Sequence, residues 1–433
     1  MRSVREMHNL LAANLPKGSL PGALPGAPSH GQLQGALADV RPDPMQHTYS
    51  NPPSDASRAK GDLVFVHAEK EVMERGMVLT SLDIGNNVNL SSLEAQSNNI
   101  TEIDFSNNTM LNYLEVSSNP ISSLDLSSNT LLTTLLASDL LLTGIDLSSN
   151  TLLTHVYVHE NQIPSIDLTS NVNTEVLWVQ ENQIETIDVS TLPNLRHFEA
   201  HTNPLTSLDL TSNPNLTALY VAECELTSID VSNNPALHSF SGFGNLLTSL
   251  DVSNNTALEY FQLHGNLLTE LDLSSNTSLT RVAIEGNPLT YLNMKNGLTS
   301  ELIQFSTATN SGTLSCIETL DPEWATANWT YENGNTDQGT TFDVICNSEA
   351  RTKWYVSTSG SDLNGSGTLQ SPLSSIQTAL NAATEGDTVL VSAGTYYEHI
   401  VFNGSKNVEL VGEDSSNTII DAQQQNVVMD ISQ

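Results

Sequence analysis

The chain has 433 residues, enough for two or more domains, and sets 14 Lys and Arg against 49 Asp and Glu for a formal net charge of −35. Only six of the basic residues but 41 of the acidic ones follow Val78, so the excess lies there. A surface that acidic repels nucleic acid and anionic membrane, because phosphate binding needs Lys and Arg to displace counterions. No run of about 18 apolar residues offers a membrane-spanning helix, so membrane insertion is set aside as well.

Residues 1–78 differ from all that follows, with eight basic and eight acidic residues and five of the eight Met. The Pro/Gly-rich stretch LPKGSLPGALPGAPSHG points to a low-order segment. The opening MRSVREMHNLLAANLPKGSL has Arg but no continuous apolar core, and is not a signal peptide. Residues 62–75 (DLVFVHAEKEVMER) read as a strand and a short helix, and a short cap near 62–78 would shield the first repeat. The other reading is that much of 1–78 is foreign to the domain, through an upstream start site or a fragment boundary.

From Leu79 a fixed period takes over. Asp83, Asp104, Asp125, Asp146, Asp167, Asp188, Asp209, Asp230, Asp251 and Asp272 recur every 21 residues, with Asn293 at the next step. A period of this size means a solenoid, whose units bury their apolar edges against their neighbours. A typical unit, LEYFQLHGNLLTELDLSSNTS (258–278), holds two near-copies of one phrase, LxxLxLxxN and LxxLDLSxN. The alternation L-x-L is a strand signal, with alternate side chains turned inward. The Asn closing each phrase can bond backbone groups at its turn and stack on its copies. The solenoid is therefore expected over 79–299, each unit giving two short strands to two parallel sheets.

This pattern resembles the leucine-rich repeat family in its 21-residue nested (IRREKO-like) form, found in secreted Bacteroidetes-type bacterial proteins. Departures are few: Leu140 and Cys224 stand for the first-phrase Asn, Leu192 for the second, and Thr174 opens a unit in place of Leu. Cys is an alternative at the Asn position of such repeats, which makes Cys224 a structural ladder residue.

The two polar faces differ. On the second phrase the outward positions are nearly constant, Asp between Ser or Thr, and a constant column does not discriminate among ligands. Its neighbouring carboxylates repel. It must stay wet, accept hydrogen bonds or attract cations; calcium is the one cofactor it could call for, yet a flat ladder offers few of the six to eight oxygens calcium takes. On the first phrase the outward positions vary. The candidate binding face comprises Tyr157, Trp178, Tyr220, Tyr113, Tyr260, His155, His159, His197, His201 and Glu199. Exposed aromatics on a rigid sheet anchor protein contacts and stack on sugar rings; alternatively they tile the sheet surface. The pairs His155/His159 and His197/His201 have i,i+4 spacing, but on a strand such residues lie ~13 Å apart and neither pair chelates a metal alone.

Residues 300–350 resemble the C-terminal cap of secreted bacterial repeat proteins, on Cys316, the stretch Trp324–Trp329 and Cys346. The resemblance implies a Cys316–Cys346 disulfide, which would contribute ~3–4 kcal/mol in the chain-entropy model and point to an oxidising compartment. Trp324 and Trp329 would cover the last unit's apolar edge.

From Lys353 a new module starts. WYVST reads as a strand and Leu373–Ala383 as a helix beginning after Ser371–Pro372, followed by strands TVLV, HIVF, VELVG, TIIDA and VVMDI. This resembles the entrance of a right-handed parallel β-helix of the pectate-lyase-like superfamily, on Gly360–Asp362, Ser371–Ala379, Gly386–Tyr396 and Val408–Gly412. The resemblance implies a truncated β-helix over 351–433, with any catalytic residues on coils beyond Gln433.

The fold class expected is mainly β: a leucine-rich repeat solenoid, then the start of a parallel β-helix. No nucleophile–base pair, phosphate loop or metal-ligand spacing occurs, so no catalytic residue is assigned. The functional expectation is a non-enzymatic, secreted or cell-surface binding protein for a protein or polysaccharide ligand. The alternative is the targeting portion of a larger polysaccharide-degrading enzyme.

Overall fold

The computed structural model describes residues 63–65, 79–308, 313–346, 351–403, 406–422 and 429–432. Of the segment 1–78 it places only the strand β1 (Leu63–Phe65); the low-order stretch and the short helix expected before Arg75 lie outside the described residues.

The first phrases make one long parallel sheet. Its next strands are β2 (Ser92–Glu94), β3 (Tyr113–Glu115), β4 (Thr134–Leu136), β5 (His155–Tyr157) and β6 (Val176–Trp178). It continues through β7 (His197–Glu199), β8 (Ala218–Tyr220), β9 (Ser239–Ser241) and β10 (Tyr260–Gln262). Between β10 and the next strand of this sheet comes β11 (Glu270–Asp272), on the other face; β12 (Arg281–Ala283), β13 (Tyr291–Asn293) and β14 (Gln304–Ser306) follow. The sheet has 12 strands in the order β1–β10, β12, β14. Ser92 sits opposite Tyr113 and each later strand through β12 repeats that offset, so hydrogen bonds such as Thr133 Oγ1 to Asn112 O span 21 residues; the step to β14 is 23. The middle residue of each triplet, from Leu93 to Val282, turns inward and is fully buried. One apolar core runs from Ile84 to Trp329.

The second phrases form fewer strands than expected. Among the described residues only β11, β13, β15 (Cys316–Glu318) and β16 (Thr341–Asp343) pair on that face, giving a four-stranded sheet. In the earlier units as in β11 the Asp folds back on its own turn, as Asp125 Oδ1 accepts from Ser127 N at 3.0 Å and Asp272 Oδ1 from Ser274 N at 2.8 Å. Before Glu270 the second phrases are tied to one another by bonds such as Leu141 N to Ile121 O and Asn129 Nδ2 to Phe105 O rather than by a strand ladder.

Asparagine ladders tie the turns of both phrases. In the first, Asn119 donates through Nδ2 to Ala95 O and Val116 O, each at 2.9 Å, and accepts from Ile100 N through Oδ1 at 3.0 Å. The second uses one end of the amide: Asn129 Nδ2 donates to Phe105 O and Asn108 O, while its buried Oδ1 has no hydrogen-bond partner. The departures fit locally. Thr174, fully buried, donates to Asn171 O at 2.9 Å. Where Leu140 supplies no acceptor, Ile121 N turns to Asn119 O at 2.8 Å. Cys224 is buried and free, its thiol donating to Ala222 O at 3.4 Å; burial pushes that thiol up to about 11.

Each ladder Asn of the first phrase follows a residue of positive φ. The column runs Ser97, Ser118, Asp139, Glu160, Glu181, Thr202 and Glu223, then Gly244, Gly265 and Gly286, with φ between 51° and 67°. Only the last three are the residue type that adopts this conformation without penalty.

The array ends in an aromatic plug. Helix α1 (Pro322–Asn328), capped by Asp321 through Trp324 N, brings Trp324 and Trp329 to within 6.0 Å of each other. Trp329 stacks on Phe305 at 4.0 Å and lies 5.8 Å from Phe342. Cys316 and Cys346 are disulfide-bonded, with Cα atoms 5.8 Å apart. The sheet does not stop at this cap, because β15 and β16 extend it.

The C-terminal module has a second core from Val344 to Ile400. It contains β17 (Lys353–Val356), helix α2 (Ile376–Ala382), β18 (Thr388–Val391), β19 (Gly394–Tyr396) and β20 (Ile400–Asn403). Then come β21 (Glu409–Gly412), β22 (Thr418–Ile420) and β23 (Met429–Ser432). Three parallel ladders result, β17–β18–β21, β19–β22 and β20–β23, so the chain passes the same three faces in the same order twice. Strand β19 was not among the runs expected. Helix α2 begins three residues later than its pattern suggested. Leu373 bridges Val356 instead, and Asp362 holds the N–H groups of Ser374 and Ser375 at 2.8 and 3.0 Å.

Candidate functional site

Strand alternation decides which side chains reach the surface of the long sheet. In β5, β6 and β7 the residues Val156, Leu177 and Phe198 are fully buried. His155, Tyr157, Trp178, His197 and Glu199 therefore face outward, and two residues further along so do His159, Gln180 and His201.

Their rings form one connected cluster across β5 to β8. Tyr157 meets Trp178 edge-on at 4.9 Å, and His159 and His197 flank Trp178 at 5.6 Å each. His197 continues to Tyr220 at 5.5 Å, and His155 lies 6.3 Å from Tyr157. Tyr113 and Tyr260 are on β3 and β10, two strands away on either side. Tyr113 donates to Glu115 Oε2 within its own strand at 3.1 Å.

The expectation of exposed aromatics needs correction. Tyr157 and Tyr260 are each only 8 % exposed, and Trp178 and Tyr220 are half-buried. With rings about 5 Å apart on adjacent strands, each side chain covers the next. Burial, helped by the charge of Glu199, pushes the Tyr157 hydroxyl up to about 12. Burial also takes Tyr260 to about 12, with Tyr220 adding and Arg281 opposing. Burial lowers the basicity of His155 against the pull of Glu175, and that of His264 against Glu285 and Glu223.

Glu199 is 5 % exposed and lies at the centre of this face. Its Oε1 is 2.9 Å from His197 Nε2 and its Oε2 is 4.0 Å from His201 Nε2. The two histidines of this i,i+4 pair thus share a carboxylate rather than converge on a metal position. Among the described residues no group of three or more His, Cys, Asp and Glu could hold a metal ion.

On the other face the Asp column is held by local hydrogen bonds. Asp125, Asp167 and Asp209 each accept from a backbone N–H and from a Ser or Thr hydroxyl at 2.7 Å. These bonds, the hydroxyl first for Asp125 and Asp209 and the N–H first for Asp167, keep the carboxyls below their ordinary range.

Two features escaped the sequence reading. Gln180, 3 % exposed, follows Trp178 by two residues just past the end of β6, and its Oε1 has no hydrogen-bond partner; that two-residue spacing was the available signal. A groove of about 510 Å³ opens beside the aspartate column, lined by Gly144, Asp146, Pro164 and Asp167 among others. Gly144 stands there where the flanking units carry Ser123 and Ser165.

No protein-family model matches the chain, and no curated protein sequence does either. Solved structures do resemble it, and they are leucine-rich repeat proteins. The functional domain of InlJ from Listeria monocytogenes is 25% identical, with 74% of this chain and 68% of that one covered and a TM-score of 0.49. An internalin, InlF, of the same species is 20% identical over 61% of this chain and 76% of its own, TM-score 0.48. YopM from Yersinia enterocolitica is 23% identical over 53% and 55%, TM-score 0.43. The parallel solenoid itself rests on the ladders described above. No helix among the described residues is long and apolar enough to cross a membrane.

Proposed function

We propose that this chain is a protein-binding repeat module of a secreted or cell-surface protein, and that it meets its partner on the outward face of β5 to β8. The observation that carries this reading is the ring cluster from His155 to Tyr220 around Glu199, on a sheet whose fixed register holds it in place. Rings that support one another lose little freedom when a partner docks, and centrally placed aromatics are where binding energy concentrates. The Cys316–Cys346 bridge supports an oxidising location.

Partner capture by the full-length chain, compared with Trp178→Ala and Tyr220→Ala, tests the face. Binding indifferent to both substitutions would remove it from consideration. A glycan array run on the same three proteins separates the polysaccharide ligand, the other class these rings could stack on.

We infer as well that residues 351–433 open a right-handed parallel β-helix. What supports this is the double passage over three parallel ladders. The reading as the targeting part of a larger polysaccharide-degrading enzyme rests on that module alone.

A further inference from the structure

Building on the proposed protein-binding face, we infer that its partner presents a lysine or arginine side chain, carried on a basic segment, which seats against Trp178 and Tyr220 beside Glu199.

Three observations lead there. The first is the cluster's chemistry: Tyr157, Trp178, His197 and Tyr220 succeed one another at 4.9 to 5.6 Å. Aromatic faces attract a cation brought within ~6 Å of the ring centre. The second is charge. Across β2 to β10 the outward positions of the strand triplets hold Glu94, Glu115 and Glu199 and no Lys or Arg. Asp139, Glu160, Glu181 and Glu223 add a negative margin along one edge, and Arg196 at the other edge is the one nearby cation that the sequence supplies on β5 to β8 and their flanks. The third is an acceptor in waiting. Gln180 Oε1 is buried without a hydrogen-bond partner, as is the donor Trp178 Nε1, and each such group costs free energy until a partner arrives. An ammonium or guanidinium group brings donors and positive charge together; a neutral segment could meet Gln180 but brings no charge to Glu199, and an acidic one would be repelled by it.

The test is an unbiased selection of displayed peptides on the immobilised full-length chain at pH 7.5. One enriched peptide is then remade with citrulline for arginine or norleucine for lysine. Enrichment of basic sequences is expected, with at least a tenfold loss of affinity on neutralising the peptide. Trp178→Ala should give a similar loss, Glu199→Gln a three- to tenfold one, and Asp209→Asn, on the opposite face, no change. Glu199→Gln keeps shape and hydrogen bonding, so it reports on charge even if Trp178→Ala perturbs the fold. Selected peptides that are neutral or acidic yet still lost with Trp178→Ala would overturn the cation and leave the binding face standing. Peptides indifferent to Trp178→Ala, or no enrichment at all, would overturn both. Basic peptides weakened as much by Asp209→Asn as by Glu199→Gln would reduce the effect to general acidity and sink the seat.

Discussion

Lys295 and Glu318 form an ion pair of 2.7 Å in which both residues are almost entirely buried, 4 % and 6 % exposed. The carboxylate is satisfied further. Tyr291 Oη donates to Oε2 at 3.2 Å, and Cys346 N donates to Oε1 at the same distance. One side chain therefore joins the end of the repeats, the extension of the second sheet and the disulfide. A buried pair contributes little net stability over a well-packed apolar pair, but leaving one partner alone strands a charge in the interior. Lys295→Met should cost about 3 kcal/mol or more in denaturant unfolding, and the double replacement with Glu318→Leu should recover most of that loss. A single substitution without measurable cost would mean that the pair is hydrated.

Cys224 occupies a ladder position with a weaker group than Asn. Asn at this place elsewhere bonds the carbonyls 24 and 3 residues back and the N–H 19 residues back, as Asn245 does with Val221, Gly242 and Leu226. Cys224→Asn should therefore stabilise the array by about 1 kcal/mol. In the native chain the thiol, held near 11 by burial, should resist alkylation at pH 8 until the protein is unfolded. Rapid labelling under native conditions would contradict the ladder role.

The positive-φ column makes a prediction with opposite signs at two positions. Thr202, a β-branched residue at φ 55°, carries strain that Gly265 at φ 67° does not. Thr202→Gly is expected to raise stability by roughly 1 kcal/mol and Gly265→Thr to lower it by about as much or more. Calorimetric melting of the two variants decides. A loss on Thr202→Gly would show that the hydroxyl, 3.4 Å from Glu223 Oε2, matters more than the backbone.

Acid should act on the aspartate column. Its carboxyls are held below their ordinary value of 3.8, chiefly by Ser and Thr hydroxyls and backbone N–H groups. A group whose folded value is depressed contributes stability that is present above its unfolded value and lost as pH falls through the folded one. The column's share of the urea midpoint should be constant above about pH 5 and fall as pH drops below 3.8, and Ser127→Ala should make that fall shallower.

Reducing the Cys316–Cys346 bridge, which closes a separation of 30 residues, should cost ~3–4 kcal/mol in the chain-entropy model. Unfolding with and without reductant measures it. Because Cys346 N also serves Glu318, the loss should not add independently to that of Lys295→Met.

Much of this molecule was legible in its sequence because the repeat does two jobs at once. The spacing of Asp83 to Asp272 is the register of the long sheet, and the Asn of each phrase binds the turn below it, so period and pairing coincide. Other features depend on distances that no period encodes. Whether the second phrases pair as strands is a matter of backbone geometry, and among the described residues only β11, β13, β15 and β16 form a ladder. The partnership of Lys295 with Glu318 joins residues in a region where the repeat has already decayed. At the candidate face, strand alternation told which side chains point outward, from His155 to Tyr220. It did not tell that Tyr157 would be hidden by Trp178, because cross-strand packing is set by side-chain torsions. Nor did it tell that His197 and His201 would close on Glu199.

The constant offset from Ser92 to Ala283 also makes the array a ruler. Excising one whole 21-residue unit between Tyr220 and Arg281 would rejoin every ladder in register, since the residues above and below the cut already match the same template. Such a deletion would carry the ring cluster one strand spacing, about 4.8 Å, nearer to the aromatic plug. Length in this protein is thus a quantity that evolution, or an engineer, can change in whole steps while the chemistry of each step stays the same.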